Sequence, residues 1–117
     1  MTIQTHNSTD SCIAEIHSGE ELVSSVEKGG DLLADLYYQG FDRIILSVHH
    51  LSPQFFDLKT GFAGELLQKF ANFHMQLVIV GDVTPFSNDR FDEFIGESNK
   101  GFQVNFAKDV KEVLQSC

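Results

Sequence analysis

A hydroxyl followed at once by glycine, Thr60-Gly61, with Asp57 upstream and Gly64 downstream, is the first place in the chain where chemistry is legible. The segment after it is amphipathic, so Thr60 stands at a helix start, where unpaired amides and the helix dipole favour negative charge. Two readings fit. Thr60 caps the helix, worth about 1 kcal/mol, while the glycines let that end approach the sheet. Or it is a phosphoacceptor or anion contact, its charge held by the helix end. His49 and His50 close an Ile- and Leu-rich strand at its carboxyl end, where open α/β sheets place ligands. Neighbouring side chains on a strand point to opposite faces, so these imidazoles are not expected to share a metal, and no metal or cofactor is assigned.

Asp82, Ser87 and Asp89 follow another apolar strand. They suit magnesium or ribose, and equally turn and cap bonding. Glu97, Ser98, Asn99, Lys100 and Gly101 read as a helix end with a compensating cation, or as part of a site. A pocket built from these parts would gather His49, Asp82 and Thr60 at the strand ends, with Ser98, Asn99 and Lys100 as further members. Phe55 and Phe56 either fold under the sheet or form a partner-facing patch. Cys12 reads as a small buried residue and Cys117 as an exposed one, with no base or resolving thiol nearby in sequence. Gly61 and Gly64 lack the third glycine and the Lys-Ser/Thr pair of a phosphate-binding loop. Glu20-Glu21 and Asp92-Glu93 are sequential neighbours on expected exposed faces. No catalytic residue is assigned.

The elements that must position these groups follow from pattern. Residues 2–6 and 12–17 read as strands of a hairpin around the turn-forming stretch 7–10. Ser24 and Glu27 have capping-box spacing, predicting a helix from about Ser25 through Val26, Leu33, Leu36 and Tyr37, ended by Gly40. Gly29 and Gly30 cost about 1 kcal/mol each in helix propensity and can restrict the helix to residues 31–38. Residues 43–48 and 76–80 are apolar without alternation, as in central strands with helices on both faces. Ser52-Pro53 opens a short turn, and residues 61–74 form a helix whose Leu66, Leu67, Phe70 and Phe73 oppose Glu65, Gln68, Lys69 and Asn72. A helix over about 88–99, a half-exposed edge strand over 102–106 and a short helix over 109–115 complete the chain. The expected fold is one α/β domain, residues 1–117, with a mixed, mostly parallel sheet of about five strands, an antiparallel N-terminal hairpin and about four helices.

Bulk properties narrow the partners. Of 117 residues, 8 are Lys or Arg and 17 Asp or Glu, a net charge of −9, with the basic residues scattered. That disfavours nucleic acid and anionic membrane, both of which need concentrated positive charge. Two cysteines near opposite ends, and no basic stretch leading into an apolar one after Met1, predict a reducing cytoplasm and no signal peptide. The apolar runs are far shorter than the roughly 20 residues of a membrane helix.

The stretch Phe55-Phe56-Asp57-Leu58-Lys59-Thr60-Gly61-Phe62-Ala63-Gly64-Glu65-Leu66-Leu67-Gln68-Lys69-Phe70, with Glu97-Ser98-Asn99-Lys100-Gly101, resembles the bacterial family known as domain of unknown function 4180. That family carries no established activity. The element order and the Thr60-Gly61 pair also resemble STAS domains, the anti-sigma-factor antagonist class, whose Asp-Ser-Ser-Gly motif carries a phosphorylated Ser that switches binding of a partner kinase. Here Lys59 precedes Thr60, Asp57 lies three positions upstream, and the connection from Val48 to Thr60 is longer. The resemblance implies a non-enzymatic regulatory module docking a protein around Thr60, Phe55 and Phe56. The rival reading is a small-molecule- or anion-binding domain, or minor enzyme, with its pocket at the carboxyl ends of the central strands. A homodimer through the strand at 102–106 is a further expectation.

Overall fold

The hairpin and the apolar runs assemble into one sheet. The computed structural model describes residues 2–7, 11–100 and 104–115. Strands β1 (Thr2–Asn7) and β2 (Cys12–His17) pair antiparallel; β3 (Arg43–Ser47), β4 (Gln76–Val80) and β5 (Val104–Ala107) join in parallel, side by side in chain order. Helices α1 (Val26–Tyr38), α3 (Phe62–Asn72) and α4 (Asp89–Lys100) fill the crossovers, with a short α2 (Pro53–Phe56) ahead of α3 and α5 (Val110–Gln115) at the end. The single α/β domain with a five-stranded mixed sheet and N-terminal hairpin is therefore as expected, with five helices in place of four because the Ser52-Pro53 turn completes a helical turn. Most of the turn at 7–10, the start of the strand expected at 102, and Cys117 lie outside the described residues.

Strand order decides which face each helix covers. Every parallel strand is added on the same side of the last, so right-handed crossovers place their helices on one face. There Ala14, Ile16, Ile44, Leu46, Leu77 and Ile79 pack with Leu33, Leu36, Phe55, Phe56, Leu66, Phe70 and Phe91. Each buried Ile, Leu or Phe among them contributes about 1.5–3 kcal/mol. On the opposite face, among the described residues, Ile13, Ile45, Val78 and Val80 pack with Val110, Val113 and Leu114 of α5 and with Ala107 of β5. The two-faced covering expected of the central strands is thus unequal. Beyond α5 that face is polar: His6 and His17 each approach the nearly buried Glu15 carboxylate at 2.7 Å, an arrangement the sequence reading passed over.

Two helix boundaries depart from expectation for local reasons. The N-cap of α1 is Ser25, whose hydroxyl accepts from Lys28 N–H at 3.1 Å, not Ser24 with Glu27. Val23 is held in a bridge with Leu51, so the chain stays extended for one residue more. The Gly29-Gly30 pair does not break α1; Gly29 is buried where α1 crosses α3, with Leu66 against it. Both α1 and α3 end in left-handed residues, Gly40 at φ 95° and His74 at φ 55°. In each case the next amide reaches back five residues, Phe41 to Leu36 and Met75 to Phe70. Among the described residues no helix is long and apolar enough to cross a membrane.

Candidate functional site

Parallel strands end on the same side of the sheet, so the loops leaving β2, β3, β4 and β5 gather along one edge. His49 and His50 tie two of them together. They lie on a 3-10 turn (Val48–His50) rather than on the strand, which brings their rings to 4.2 Å between centroids instead of to opposite faces. Both Nε2–H groups donate to the Ser18 carbonyl, at 2.8 and 2.9 Å, and the Ser47 N–H donates to His50 Nδ1 at 2.9 Å. His50 therefore has both nitrogens occupied as a neutral ring, and burial pushes its pKa below the usual range. The amides of Leu22 and Val23 add two bonds to the His50 carbonyl, at 2.9 and 2.8 Å. This stitching fixes the β2–α1 loop, and Glu21 with it, beside the end of β3.

The result is a cleft of about 610 Å³ at the carboxyl ends of the parallel strands. Val48, Leu51, Val80 and Val110 give it apolar walls, and His49, Glu21, Asp82, Lys108 and Asp109 supply polar groups. Gly81, between β4 and Asp82, has φ 125°, and a Cβ there would lie 3.1 Å from Val48 Cγ2; glycine lets the loop turn away at the cleft edge. Asp82 caps its own turn, accepting from the Thr84 amide at 2.9 Å and from the Thr84 hydroxyl. Those two bonds, the hydroxyl's first, hold its carboxyl below the ordinary carboxylate range.

The structure sorts the expected site residues into separate places. His49 and Asp82 line the same cleft, as the strand-end reading requires. Thr60 does not: it ends a 3-10 turn (Leu58–Thr60) on the surface, its hydroxyl 2.9 Å from the carbonyls of Gln54 and Asp57 and accepting from Phe62 N–H at 3.2 Å. The helix N-cap position belongs to Gly61, left-handed at φ 77°, with exposed Gly64 in the first turn of α3. Asp57 caps the 3-10 turn through Lys59 N–H at 3.2 Å and borders a smaller cleft with Ser87, next to the first. Phe55 and Phe56 are buried, Phe56 stacked on Phe86 at 4.2 Å and edge-on to Phe91 at 5.8 Å. The expectation that they form a partner-facing patch is corrected: the segment folds under, as its alternative reading held, because two large rings gain more by burial than a turn loses. Ser98, Asn99 and Lys100 stand at the far end of α4, which runs from the β4 loop back toward the start of β5, so the fold does not bring them to the cleft.

Sequence reasoning missed Glu21, Lys108 and Asp109 as cleft members. Glu21 reads in the sequence as part of an exposed face, and nothing in a one-dimensional pattern shows that the β2 and β5 loops converge on β3 and β4.

Fold and cleft together define a one-sheet α/β domain, its helices mostly on one face and a polar cleft along the carboxyl edge. The family described as Domain of unknown function (DUF4180) matches residues 8–116, and the chain belongs to it. Neither curated proteins nor solved structures give a match.

Proposed function

We propose that this domain binds a small polar molecule in the cleft at the carboxyl ends of β3, β4 and β5. The observation that carries the reading is the convergence of His49, Glu21, Asp82, Lys108 and Asp109, from four loops, around apolar walls in a space of about 610 Å³. Ligand sites commonly have about 300–1,000 Å³ and combine an apolar lining with a few placed polar groups. The test is an amide-resolved NMR screen of a mixed library of neutral, anionic and cationic fragments. Binders are expected to shift the Gly81, Asp82 and Lys108 amides; a library with no member that moves them sinks the reading.

A second reading, regulation through Thr60 by a cytoplasmic protein partner, is supported by the exposure of that residue. A phosphate ester would remove the hydroxyl proton shared with the Gln54 and Asp57 carbonyls and set negative charge against them. Phosphorylation would thereby remodel the connection between α2 and α3. Thr60→Glu is then expected to change partner capture more than thermal stability; unchanged capture removes this reading.

A further inference from the structure

The cleft is unevenly charged: Glu21, Asp82 and Asp109 line it, against the one ammonium of Lys108. Two of these carboxylates are held in the same manner. Asp82 Oδ1 accepts from the Thr84 amide and hydroxyl, and Asp109 Oδ1 accepts from Glu112 N–H at 2.8 Å as the cap of α5. Such local bonds fix the side chain. In both residues Oδ2 accepts no hydrogen bond among the described residues. With Nε2–H donating to the Ser18 carbonyl, the tautomer of His49 that carries its proton there leaves Nδ1 as an acceptor. His50, pressed against it, is kept neutral by burial and brings no positive charge to the cleft.

We propose that the cleft selects a small organic ammonium compound, a primary amine on an apolar body, with Asp82, Asp109 and His49 accepting from the amine and Val48 and Val80 contacting the body. This rests on the reading of the cleft as a binding site and adds the charge and class of its ligand. A bare divalent ion needs several oxygens within about 2.0–2.6 Å. Among the described residues no three or more His, Cys, Asp or Glu side chains are grouped to hold one. An ammonium has three donors and bonds acceptors spaced more widely. An anion would meet three carboxylates against one ammonium, and the Glu112 amide in the first turn of α5 is already taken by Asp109.

The experiment titrates the intact protein, at constant ionic strength, with n-butylammonium, magnesium and inorganic phosphate, reading the same cleft amides by NMR. Butylammonium is expected to shift them. Asp82→Asn, which keeps the turn-capping oxygen and loses the charge, should weaken that probe about two- to fivefold, and Lys108→Gln should tighten it by a similar factor. Glu21→Gln serves as the charge-removing variant if Asp82→Asn disturbs the fold. Cleft shifts with phosphate or magnesium and not butylammonium overturn the ammonium assignment while leaving the cleft a binding site. Equal butylammonium affinity in wild type and both charge variants overturns it as well. Cleft amides unmoved by any probe, here and in the fragment screen, overturn both.

Discussion

Gly29 and Gly30 are neighbours in α1, yet a methyl group should have opposite effects at the two. In helix propensity alone each alanine gains about 1 kcal/mol. At Gly29 the new Cβ would fall 2.6 Å from Leu66 Cδ1 and 2.9 Å from Val23 Cγ1. Carbon atoms pack best at about 3.5–4.0 Å. Leu66 and Val23 are 0% and 1% exposed, so neither can swing away into solvent. Overpacking of this kind costs about 1–3 kcal/mol, leaving Gly29→Ala with a net loss of roughly 0–2 kcal/mol. At Gly30 the nearest atom is Lys69 Cδ at 3.2 Å, part of a flexible stem on the surface. Gly30→Ala should therefore keep most of its gain, about 0.5–1 kcal/mol. The two variants would differ by about 0.5–3 kcal/mol, or some 2–12 °C in melting temperature for a domain of this size. Urea unfolding followed by circular dichroism, with thermal melts alongside, measures the difference. A Gly29→Ala protein as stable as Gly30→Ala would refute the close α1–α3 approach.

Other expectations concern ionisation and backbone strain. His50 is held neutral by burial, whereas in the unfolded chain it titrates near 6.5. The unfolded state thus takes up the proton first, so stability is retained above that pH and falls as the pH drops through it. His50→Gln cannot titrate; its urea midpoint should change less than that of wild type between about pH 7.5 and pH 5.5, and an equal change in both would refute the buried-neutral assignment. His74 occupies the left-handed position that ends α3 at φ 55°. Glycine there removes a strain of about 1 kcal/mol against some added chain entropy, so His74→Gly should raise stability by about 0.5 kcal/mol, and a lower urea midpoint would count against the strain.

Much of the architecture was legible because burial leaves a one-dimensional trace. The unbroken Ile-Ile-Leu of β3 and Leu-Val-Ile-Val of β4 mark strands covered on both sides, and Leu66 and Phe70 against Glu65 and Lys69 mark the two sides of α3. The left-handed end at Gly40 was equally readable. Local pattern failed where a distant contact intervened. The start of α1 slipped from Ser24 to Ser25 because Val23 is bridged to Leu51, and the two histidines met because the chain turns directly after Ser47. Thr60 kept its surface position but passed the helix cap to Gly61, whose positive φ no hydrophobic pattern reports.

The sequence by itself determined the elements, the composition of the core and the acidic character of the surface, since each follows from which residue types alternate, cluster or cap. Only the tertiary structure decided that His49 and Asp82 share a space with Glu21, Lys108 and Asp109, and that α4 runs away from the β4 loop to end at residues 98–100. The reason is the order in which the strands are laid down. Adding each parallel strand beside the last puts all their carboxyl ends along one edge, and bonds such as His50 to Ser18, 32 residues apart, set how closely the loops there converge.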